Sequence, residues 1–422
     1  MKSAIDVDAL AREARKASRT LATASPDAKA RALGRMADEL RKSRKEILEA
    51  NRADCAAARK AGRTSAYVDR MALDEARLAR LDATIERVAA LPDPVGKVSD
   101  YAARPTGLKV QKMRVPLGVV AVVFEARPGI AAEAAALCVK AGNSVLLRGE
   151  PESLATDTAV ARALQEGLRL CGLPLGAVGL VRDPSPRTLE RLLALEHWID
   201  LVIPRGGHAL SSLVREKSRI PVLTYEKGVC HLYVDEGADL AMAEAVCYNA
   251  KTQAPGAPNS LETLLVHEKA APLLLPRLAQ RYRRAGVELR GCPRTLALLP
   301  GTKPATVSDW DMEYLDLILS VKVVRSLQEA IQHIAHHGTG VAEGILTNDA
   351  VRAERFLREV DAGTVVVNAS TRLADGEELG MGTELGFSAQ KLHARGPIGL
   401  AELTCEKFLV RGSGQVKTER RG

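Results

Sequence analysis

The chain has 422 residues, of which 46% are apolar and 27% are charged, and its formal net charge is +8 at pH 7. This composition indicates a globular protein of two or three domains and excludes an intrinsically disordered chain. No apolar run is long enough for a membrane-spanning helix, so we expect no membrane partner.

The seven cysteines form no CxxC pair and no cluster with histidine at zinc spacing, which favours the cytoplasm and no metal site. Aromatic residues make up only 3%, so the basic excess favours an anionic small molecule over nucleic acid.

The first hundred residues predict helices. Apolar residues recur at three- and four-residue spacing over 6–23, 27–50 and 73–91, which is typical of amphipathic helices. Ser25 and Pro26 have the composition of a helix start, with proline in the first turn.

From residue 108 onward the pattern predicts strands that alternate with helices. Residues 108–115 alternate as in an exposed strand, and 119–124 are continuously apolar, as in a strand buried on both faces. Further strands are predicted over 144–148, 177–181, 199–203 and 220–224, with helices between them over 129–141, 156–171, 186–195 and 207–216. This alternation favours right-handed βαβ crossovers and an open parallel sheet, so the fold class is α/β.

A second α/β run follows residue 225. It predicts strands over 231–235, 344–347 and 363–368, and helices over 238–251, 269–284 and 326–337. A last strand, 405–410, stands outside both runs, as 108–115 does. We expect these two strands to pair as an extension used for oligomerisation.

Phosphate-binding fingerprints are missing from the sequence. Neither GxGxxG nor GxxxxGK[ST] occurs, but three turns carry glycine, Ala141-Gly142-Asn143, Arg148-Gly149-Glu150 and Pro204-Arg205-Gly206-Gly207. The last of these turns ends a strand and opens a helix, where backbone N–H groups and the helix dipole favour an anion. An ordinary turn between strand and helix is the alternative.

Three stretches resemble a known family. Residues 118–153, 249–267 and 365–397, with the segments NAKTQ, NASTRLADG, GMGTELGFS and KLHARGP, are similar to the gamma-glutamyl phosphate reductase family of the aldehyde dehydrogenase superfamily. The resemblance is collinear from about residue 6 to 416. It implies a Rossmann-like cofactor domain (1–100 and 116–225), an α/β catalytic domain (226–385) and a β oligomerisation extension (101–115 and 399–416).

The resemblance also implies a function and its residues. The family's enzymes use NADPH to reduce L-glutamyl 5-phosphate to L-glutamate 5-semialdehyde in proline biosynthesis, through a cysteine thioester. A homo-oligomer is implied, with glutamate 5-kinase as a further partner. The implied cofactor-binding residues are Glu125, Arg127, Arg148, Gly149, Arg205, Gly206, Gly207 and Glu384, and the implied substrate-binding positions are Asn249, Lys251, Ala254 and Val341. A solvated lysine is an equal alternative for Lys251.

The sequence departs from the family pattern at the nucleophile. The family's loop carries cysteine where this chain has Pro258, which is followed by Asn259, and arginine where it has Ala254. A family histidine corresponds to Val341, and Glu150 adds a negative charge to the phosphate turn. Proline supplies neither a nucleophile nor an N–H for an oxyanion. Two functions therefore stay open: the family's reductase activity, and a catalytically impaired homologue with a ligand-binding or regulatory role.

Two other cysteines lie near the altered loop in sequence. Cys247 is predicted on the preceding helix, and Cys230 begins the predicted strand before that helix. Neither is flanked by a base suited to make a thiolate, so buried, inert thiols are expected at both positions. His336 and His337 precede Gly338, which favours a helix C-terminus over a metal site.

Overall fold

The N-terminal part of the chain is helical in the computed structural model, which describes residues 6–104, 106–125, 127–225 and 227–417. Its helices are α1 (Val7–Leu21), α2 (Pro26–Lys42), α3 (Arg44–Lys60), α4 (Ser65–Met71) and α5 (Glu75–Ala90). The Ser25 hydroxyl caps α2 by accepting the Ala28 N–H at 3.2 Å, and Pro26 occupies the first position, as predicted. The single helix predicted over 27–50 is wrong. Ser43 leaves helical geometry (φ −85°, ψ 5°) and separates α2 from α3.

A four-stranded parallel sheet follows. Its elements, with two strands that precede it, are β1 (Val98–Ala103), β2 (Lys109–Pro116), β3 (Val119–Phe124), α6 (Gly129–Lys140), β4 (Ser144–Arg148), α7 (Leu154–Leu170), β5 (Val178–Leu180), α8 (Pro186–Leu193), β6 (Leu201–Arg205) and α9 (His208–Lys217). The strand order is β5-β4-β3-β6. The strand predicted over 220–224 is wrong: only Val222 forms a bridge, to Val202. Pro221 has no N–H to donate, so it cannot extend a ladder.

The strand order determines where this sheet can bind a ligand. From β3 the chain moves outward through β4 to β5 and then returns to β6 on the other side of β3. Ligands of open α/β sheets bind outside the carboxyl ends of the strands at such a reversal point. Here the reversal lies between β3 and β6, whose ends carry Glu125 and Arg205.

The second alternating run forms a seven-stranded sheet. Its elements are β7 (Cys230–Val234), α10 (Leu240–Thr252), β8 (Leu261–His267), α11 (Ala271–Arg284), β9 (Glu288–Gly291), α12 (Pro293–Leu298), β10 (Lys303–Pro304), β11 (Ile318–Val324), α13 (Leu327–His337), β12 (Ala342–Leu346), α14 (Ala350–Glu359), β13 (Thr364–Val367), β14 (Phe387–Ser388) and β15 (Gly396–Pro397). The seven strands of the sheet, in the order β10-β9-β11-β8-β7-β12-β13, are parallel throughout. Strands β14 and β15 lie outside it and pair antiparallel as a separate two-stranded sheet. The predicted elements of this run match within about two residues, but strands β8, β9, β10 and β11 and helices α12 and α14 were not predicted, nor were the short β14 and β15.

The architecture is α/β, as the sequence predicts, and comprises two compact units. Unit 1 comprises Met1–Leu223, Gly382–Leu385 and Ile398–Gly422, and unit 2 comprises Thr224–Met381 and Gly386–Pro397. Residues 1–5 and 226, at the ends of the domains expected from the sequence, lie outside the described residues. Within the described ranges no helix has the length and apolarity needed to span a membrane.

A separate antiparallel sheet completes unit 1. Strand β16 (Thr404–Arg411) pairs with β2, from Thr404 opposite Pro116 to Arg411 opposite Lys109. The predicted pairing of the two isolated strands is therefore confirmed. The order is β1-β2-β16, and β1 was not predicted.

This three-stranded sheet exposes apolar side chains. Tyr101 and Phe408 remain 58% and 57% exposed, although their rings contact each other edge to face with centroids 5.1 Å apart. Val410 on the same strand as Phe408 is also exposed. Exposed aromatic residues in a cluster are typical of an interaction surface, so the oligomerisation role stays a prediction with a defined surface.

We expect Phe408→Asp to give a smaller oligomer. A carboxylate in an apolar interface loses its hydration without gaining a partner, which weakens association. Sedimentation velocity measures the change, with Val307→Asp, at an exposed position of unit 2, as the matched control. An oligomer of unchanged size would place the interface elsewhere.

Candidate functional site

A carboxylate occupies the helix N-terminus at the reversal point of the unit 1 sheet. Glu125 follows β3, and its Oε2 accepts the Gly207 N–H at 2.9 Å. A Cβ on Gly206 would lie 2.5 Å from the Glu125 carboxyl carbon, so a larger residue there would force the Glu125 side chain to move. The turn that the sequence singled out therefore does bind an anionic group, which is a side chain of the protein itself.

Two arginines at the carboxyl ends of the strands on either side of β3 retain unused donors. Arg148 ends β4 and is 8% exposed; its Nη2 donates to the Pro184 carbonyl at 2.7 Å. The Nε atoms of Arg148 and of Arg205, at the end of β6, are buried without a hydrogen-bond partner. Buried donors in native proteins are normally paired, so these guanidinium groups fit an anionic ligand.

A half-buried glutamate that the sequence analysis missed lies near several predicted residues. Burial raises the pKa of Glu133 on α6, Arg205 and Arg127 lower it, and Glu384 raises it. All three therefore lie within electrostatic reach of Glu133. The available signal was that Glu133 is the only acidic residue of a largely apolar helix.

The turn after β4 is shaped by protein contacts. A Cβ on Gly149 would collide with the Asp157 carboxylate, which also accepts the Ser153 hydroxyl at 2.8 Å. Burial raises the pKa of Asp157 to about 8, so this carboxyl is largely protonated at pH 7. Glu150 accepts the Tyr67 hydroxyl at 2.5 Å. Gly149 is thus explained by Asp157 without invoking a phosphate.

The altered loop of unit 2 runs from the end of α10 to the start of β8. It folds into two turns, in which the Ala257 N–H donates to the Ala254 carbonyl at 3.0 Å and the Ser260 N–H to the Ala257 carbonyl at 2.9 Å. Asn259 is buried, and its Nδ2 donates to the Ala374 carbonyl at 3.1 Å. Its Oδ1 has no partner, so one acceptor of this loop remains available.

Residue 258 is supported by a cysteine. The Cys230 thiol donates to the Pro258 carbonyl at 3.3 Å. A Cβ on Gly228 would collide with the same carbonyl oxygen, so the loop packs directly on the Gly228 backbone. Burial raises the pKa of Cys230 well above its usual value, and burial raises the pKa of Cys247 likewise. Both thiols are therefore protonated and inert at neutral pH, as expected from the sequence.

A second altered position lies in the same region. Val341 is 2% exposed and belongs to one apolar cluster with Cys230, Ala374 and Phe387. Two of the departures from the family pattern, at residues 258 and 341, thus converge on Cys230.

The remaining predicted substrate positions differ in accessibility. Asn249 is exposed and Ala254 is half-buried. Lys251 is fully buried, and its ammonium contacts Glu262 Oε2 at 2.8 Å. Neither of the two alternatives for Lys251, substrate contact and solvation, describes this geometry, because the ammonium is already paired inside the protein.

A buried histidine–carboxylate pair joins β7 to β12 and was not predicted. Glu343 Oε2 accepts the His231 N–H at 2.8 Å and faces His231 Nδ1 at 3.0 Å. The pair links adjacent strands, so its role is structural. His337 faces the Asp311 carboxylate at 2.8 Å, and the described residues contain no group of three metal-type ligands.

Known proteins resemble this chain over nearly its whole length. The model of the aldehyde dehydrogenase family matches residues 1–291 and 312–384. The gamma-glutamyl phosphate reductases of Clostridium kluyveri and Meiothermus ruber are 47% and 48% identical, over 96% and 99% of this chain and 97% and 100% of theirs. The crystal structure of the Thermotoga maritima gamma-glutamyl phosphate reductase is similar with a TM-score of 0.95 and 43% identity, covering 98% of this chain and all of that one. An acetylating aldehyde dehydrogenase from Geobacillus thermoglucosidasius shares the fold, with a TM-score of 0.68 and 18% identity over 98% of each chain.

We expect Gly228→Ala to displace the loop and to destabilise unit 2. The new methyl group meets backbone atoms, which cannot rotate away, so an overpacking cost of about 1–3 kcal/mol is expected. Urea unfolding measures the loss, with Gly237→Ala as the control because nothing lies within 4 Å of a Cβ there. Equal stability of the two variants would contradict the close packing of the loop on Gly228.

Proposed function

Since the chain belongs to the gamma-glutamyl phosphate reductase family of the aldehyde dehydrogenase superfamily, we propose that its ligands are L-glutamyl 5-phosphate and NADPH. The family reaction is the reduction of that acyl phosphate to L-glutamate 5-semialdehyde, an oxidoreductase step of proline biosynthesis. Full-length relatives at 47% and 48% identity, both of them named gamma-glutamyl phosphate reductase, support this proposal. A small-molecule substrate also agrees with the basic charge balance of the chain.

The carboxyl edge of the unit 1 sheet fits a nicotinamide cofactor. The unpartnered Nε atoms of Arg148 and Arg205 would hold its phosphates, and Gly206 allows close backbone approach. The Glu125 carboxylate, which accepts the Gly207 N–H, would accept a hydrogen bond from a ribose hydroxyl. Alternatively, a phosphate of the cofactor would displace it from the Gly207 N–H. When bound, the cofactor supplies the hydride that reduces the acyl group.

The family chemistry requires a thiolate at residue 258. The sulfur attacks the acyl carbon, the C–O bond to phosphate breaks, and phosphate leaves. Hydride then adds to the thioester carbon, the C–S bond breaks, and the aldehyde is released while the sulfur returns as thiolate. In this chain Pro258 cannot form the C–S bond, and it has no N–H to stabilise the tetrahedral oxyanion.

The geometry around Pro258 favours a second function, that of a non-catalytic homologue. The thiol that contacts this residue, Cys230, is buried, has a raised pKa and donates its proton to the Pro258 carbonyl. Neither of the two thiols near the loop, Cys230 and Cys247, is therefore suited to replace the missing nucleophile at this position. A chain of this kind would bind the ligands and regulate a partner, either an active subunit of the same family or glutamate 5-kinase, without turning substrate over.

We expect no detectable turnover of glutamate semialdehyde by the unmodified chain. Loss of a covalent nucleophile costs about 10⁶ in kcat in a serine protease. The assay is NADP⁺ reduction with semialdehyde and phosphate, followed by absorbance. Pro258→Cys alone should restore little turnover, because Ala254 and Val341 still lack the family's polar groups. The triple change Ala254→Arg, Pro258→Cys, Val341→His should restore more turnover than the single change.

Turnover of the unmodified chain at an ordinary rate, on the order of 1–10³ s⁻¹, would contradict the non-catalytic function. In that case, turnover is measured in Cys230→Ala and Cys247→Ala, and loss of turnover in one of them identifies its thiol as the nucleophile. Active-site titration of the triple variant with iodoacetamide serves as the control that residue 258 carries a reactive thiol.

We expect Glu150→Gln to tighten NADPH binding. The change removes a negative charge beside Arg148 and keeps an acceptor for the Tyr67 hydroxyl. Partly exposed charges contribute about 1 kcal/mol or less, so a gain of about fivefold or less is expected, and high salt should remove it. Calorimetry measures the affinity, and Glu166→Gln near the far end of α7 gives the same change in net charge as a control. Absence of NADPH binding to every form would overturn the cofactor site.

A further inference from the structure

The two ends of the altered loop are joined by a buried ion pair. Lys251 lies in the last turn of α10 and Glu262 is the second residue of β8, so the pair closes the loop 252–261. The Lys251 ammonium lies 2.8 Å from Glu262 Oε2, and both side chains are completely buried. Buried charges persist only when they are paired and hydrogen-bonded. We call this pair the clasp.

Residues 313–315 contact both the clasp and Gly228, the residue on which the Pro258 carbonyl packs. The Leu315 N–H donates to the second oxygen of Glu262 at 3.2 Å, and the Tyr314 ring centroid lies 6.0 Å from the Lys251 ammonium. Glu313 Oε1 accepts the Gly228 N–H at 2.7 Å, and Gly228 is the residue on which the Pro258 carbonyl packs. Three consecutive residues, 313–315, therefore connect the clasp to the backbone that packs against residue 258.

The segment 313–315 is itself conformationally constrained. Leu315 has φ +53°, in the left-handed region that residues with a Cβ rarely adopt. Its neighbour Tyr314 is anchored by its hydroxyl to Asp309 Oδ1 at 2.7 Å and to Ser320 Oγ at 2.8 Å. A strained backbone persists only where the surroundings determine it, so the segment is held in one position over the clasp.

We propose that the clasp positions residue 258 and sets the electrostatic potential there, so that Lys251 and Glu262 are positioning residues of the reactive loop. This inference rests on the proposed function only for the statement that residue 258 is the reactive position. The physical claim, that two opposite charges at the ends of the loop act on residue 258, stands on the contacts above.

The charges around the clasp make its effect measurable. Burial lowers the pKa of Lys251, and Glu262 and Asp316 raise it. Burial raises the pKa of Glu262 to about 7, Lys251 lowers it, and Glu313 raises it. Glu262 also acts electrostatically on the Cys230 thiol, which contacts residue 258. The two partners therefore respond differently to removal of the other: without Glu262 the ammonium loses its counter-charge, whereas without Lys251 the buried carboxyl binds a proton.

The first test compares the two single variants. In the Pro258→Cys background, the rate at which iodoacetamide alkylates the introduced thiol is measured against pH by peptide mass spectrometry, which separates this thiol from the natural cysteines. Glu262→Gln leaves the ammonium without its counter-charge and should lower the apparent thiol pKa by about 1. Lys251→Met leaves a buried carboxyl that binds a proton, so it should change the thiol pKa much less. An equal change in both variants, or no change in either, would show that the pair has a packing role only, and would overturn the proposal.

The matched control is Glu244→Gln on the same helix. Glu244 is paired with Arg277 and Arg281 on α11, so its removal changes the charge of α10 away from the loop and should leave the thiol pKa unchanged. Alkylation does not require turnover. A Pro258→Cys chain without reductase activity therefore bears on the proposed function alone and leaves the result on the clasp intact.

The second test needs no new cysteine. Amide hydrogen exchange over 253–260 in the otherwise unmodified chain should become at least about tenfold faster in each single variant, because the loop opens locally. The double variant Lys251→Met, Glu262→Met removes both buried charges and retains the packing, so it should fold and recover most of the protection. Unchanged exchange in the single variants would overturn the positioning role.

Discussion

Burial of parallel strands on both faces is the constraint on which the rest of this structure depends. In such a sheet each face is covered, so polar groups can reach a ligand only where the strands end. Strand β3 has no exposed residue, and the polar residues at the carboxyl ends of β3 and its two neighbours are Glu125, Arg148 and Arg205. The candidate anion site is therefore a consequence of topology as much as of any motif. This explains how the site forms without a glycine-rich fingerprint.

The same constraint governs what the sequence could predict. Continuous apolar runs such as 119–124 and the alternation with amphipathic helices predicted the α/β fold and most elements of unit 1, because local pattern and tertiary burial agree there. Strand β8 was missed because Glu262 interrupts its apolar run, and its charge is tolerated only through Lys251, eleven residues earlier. The strand predicted at 220–224 failed because Pro221 limits the pairing to one bridge, which apolarity alone does not reveal.

Some residues of the candidate site were predicted from the sequence and others were not. Arg148, Arg205 and Gly206 were predicted from glycine-bearing turns and from the family resemblance, and the structure places unsatisfied donors or close contacts at each. Glu133, Asp157 and the His231–Glu343 pair were missed because their significance comes from burial beside distant residues, which has no signature in the local sequence. The alteration at Pro258 was visible in the sequence, but its contact with Cys230, on which residue 341 also converges, required the fold.

The pairing of β2 with β16 has a consequence for how the chain folds during synthesis. The partners Lys112 and Glu406 are 294 residues apart, and the whole of unit 2 is translated between them. Until residues 404–411 emerge from the ribosome, one edge of β2 has unpaired backbone groups, and such an edge is a template for aggregation. Lys109, Lys112 and Arg114 lie along this strand, and cationic side chains of this kind oppose edge-to-edge association with another nascent chain. The basic character of β2 thus protects the incomplete protein during the interval in which its partner strand does not yet exist.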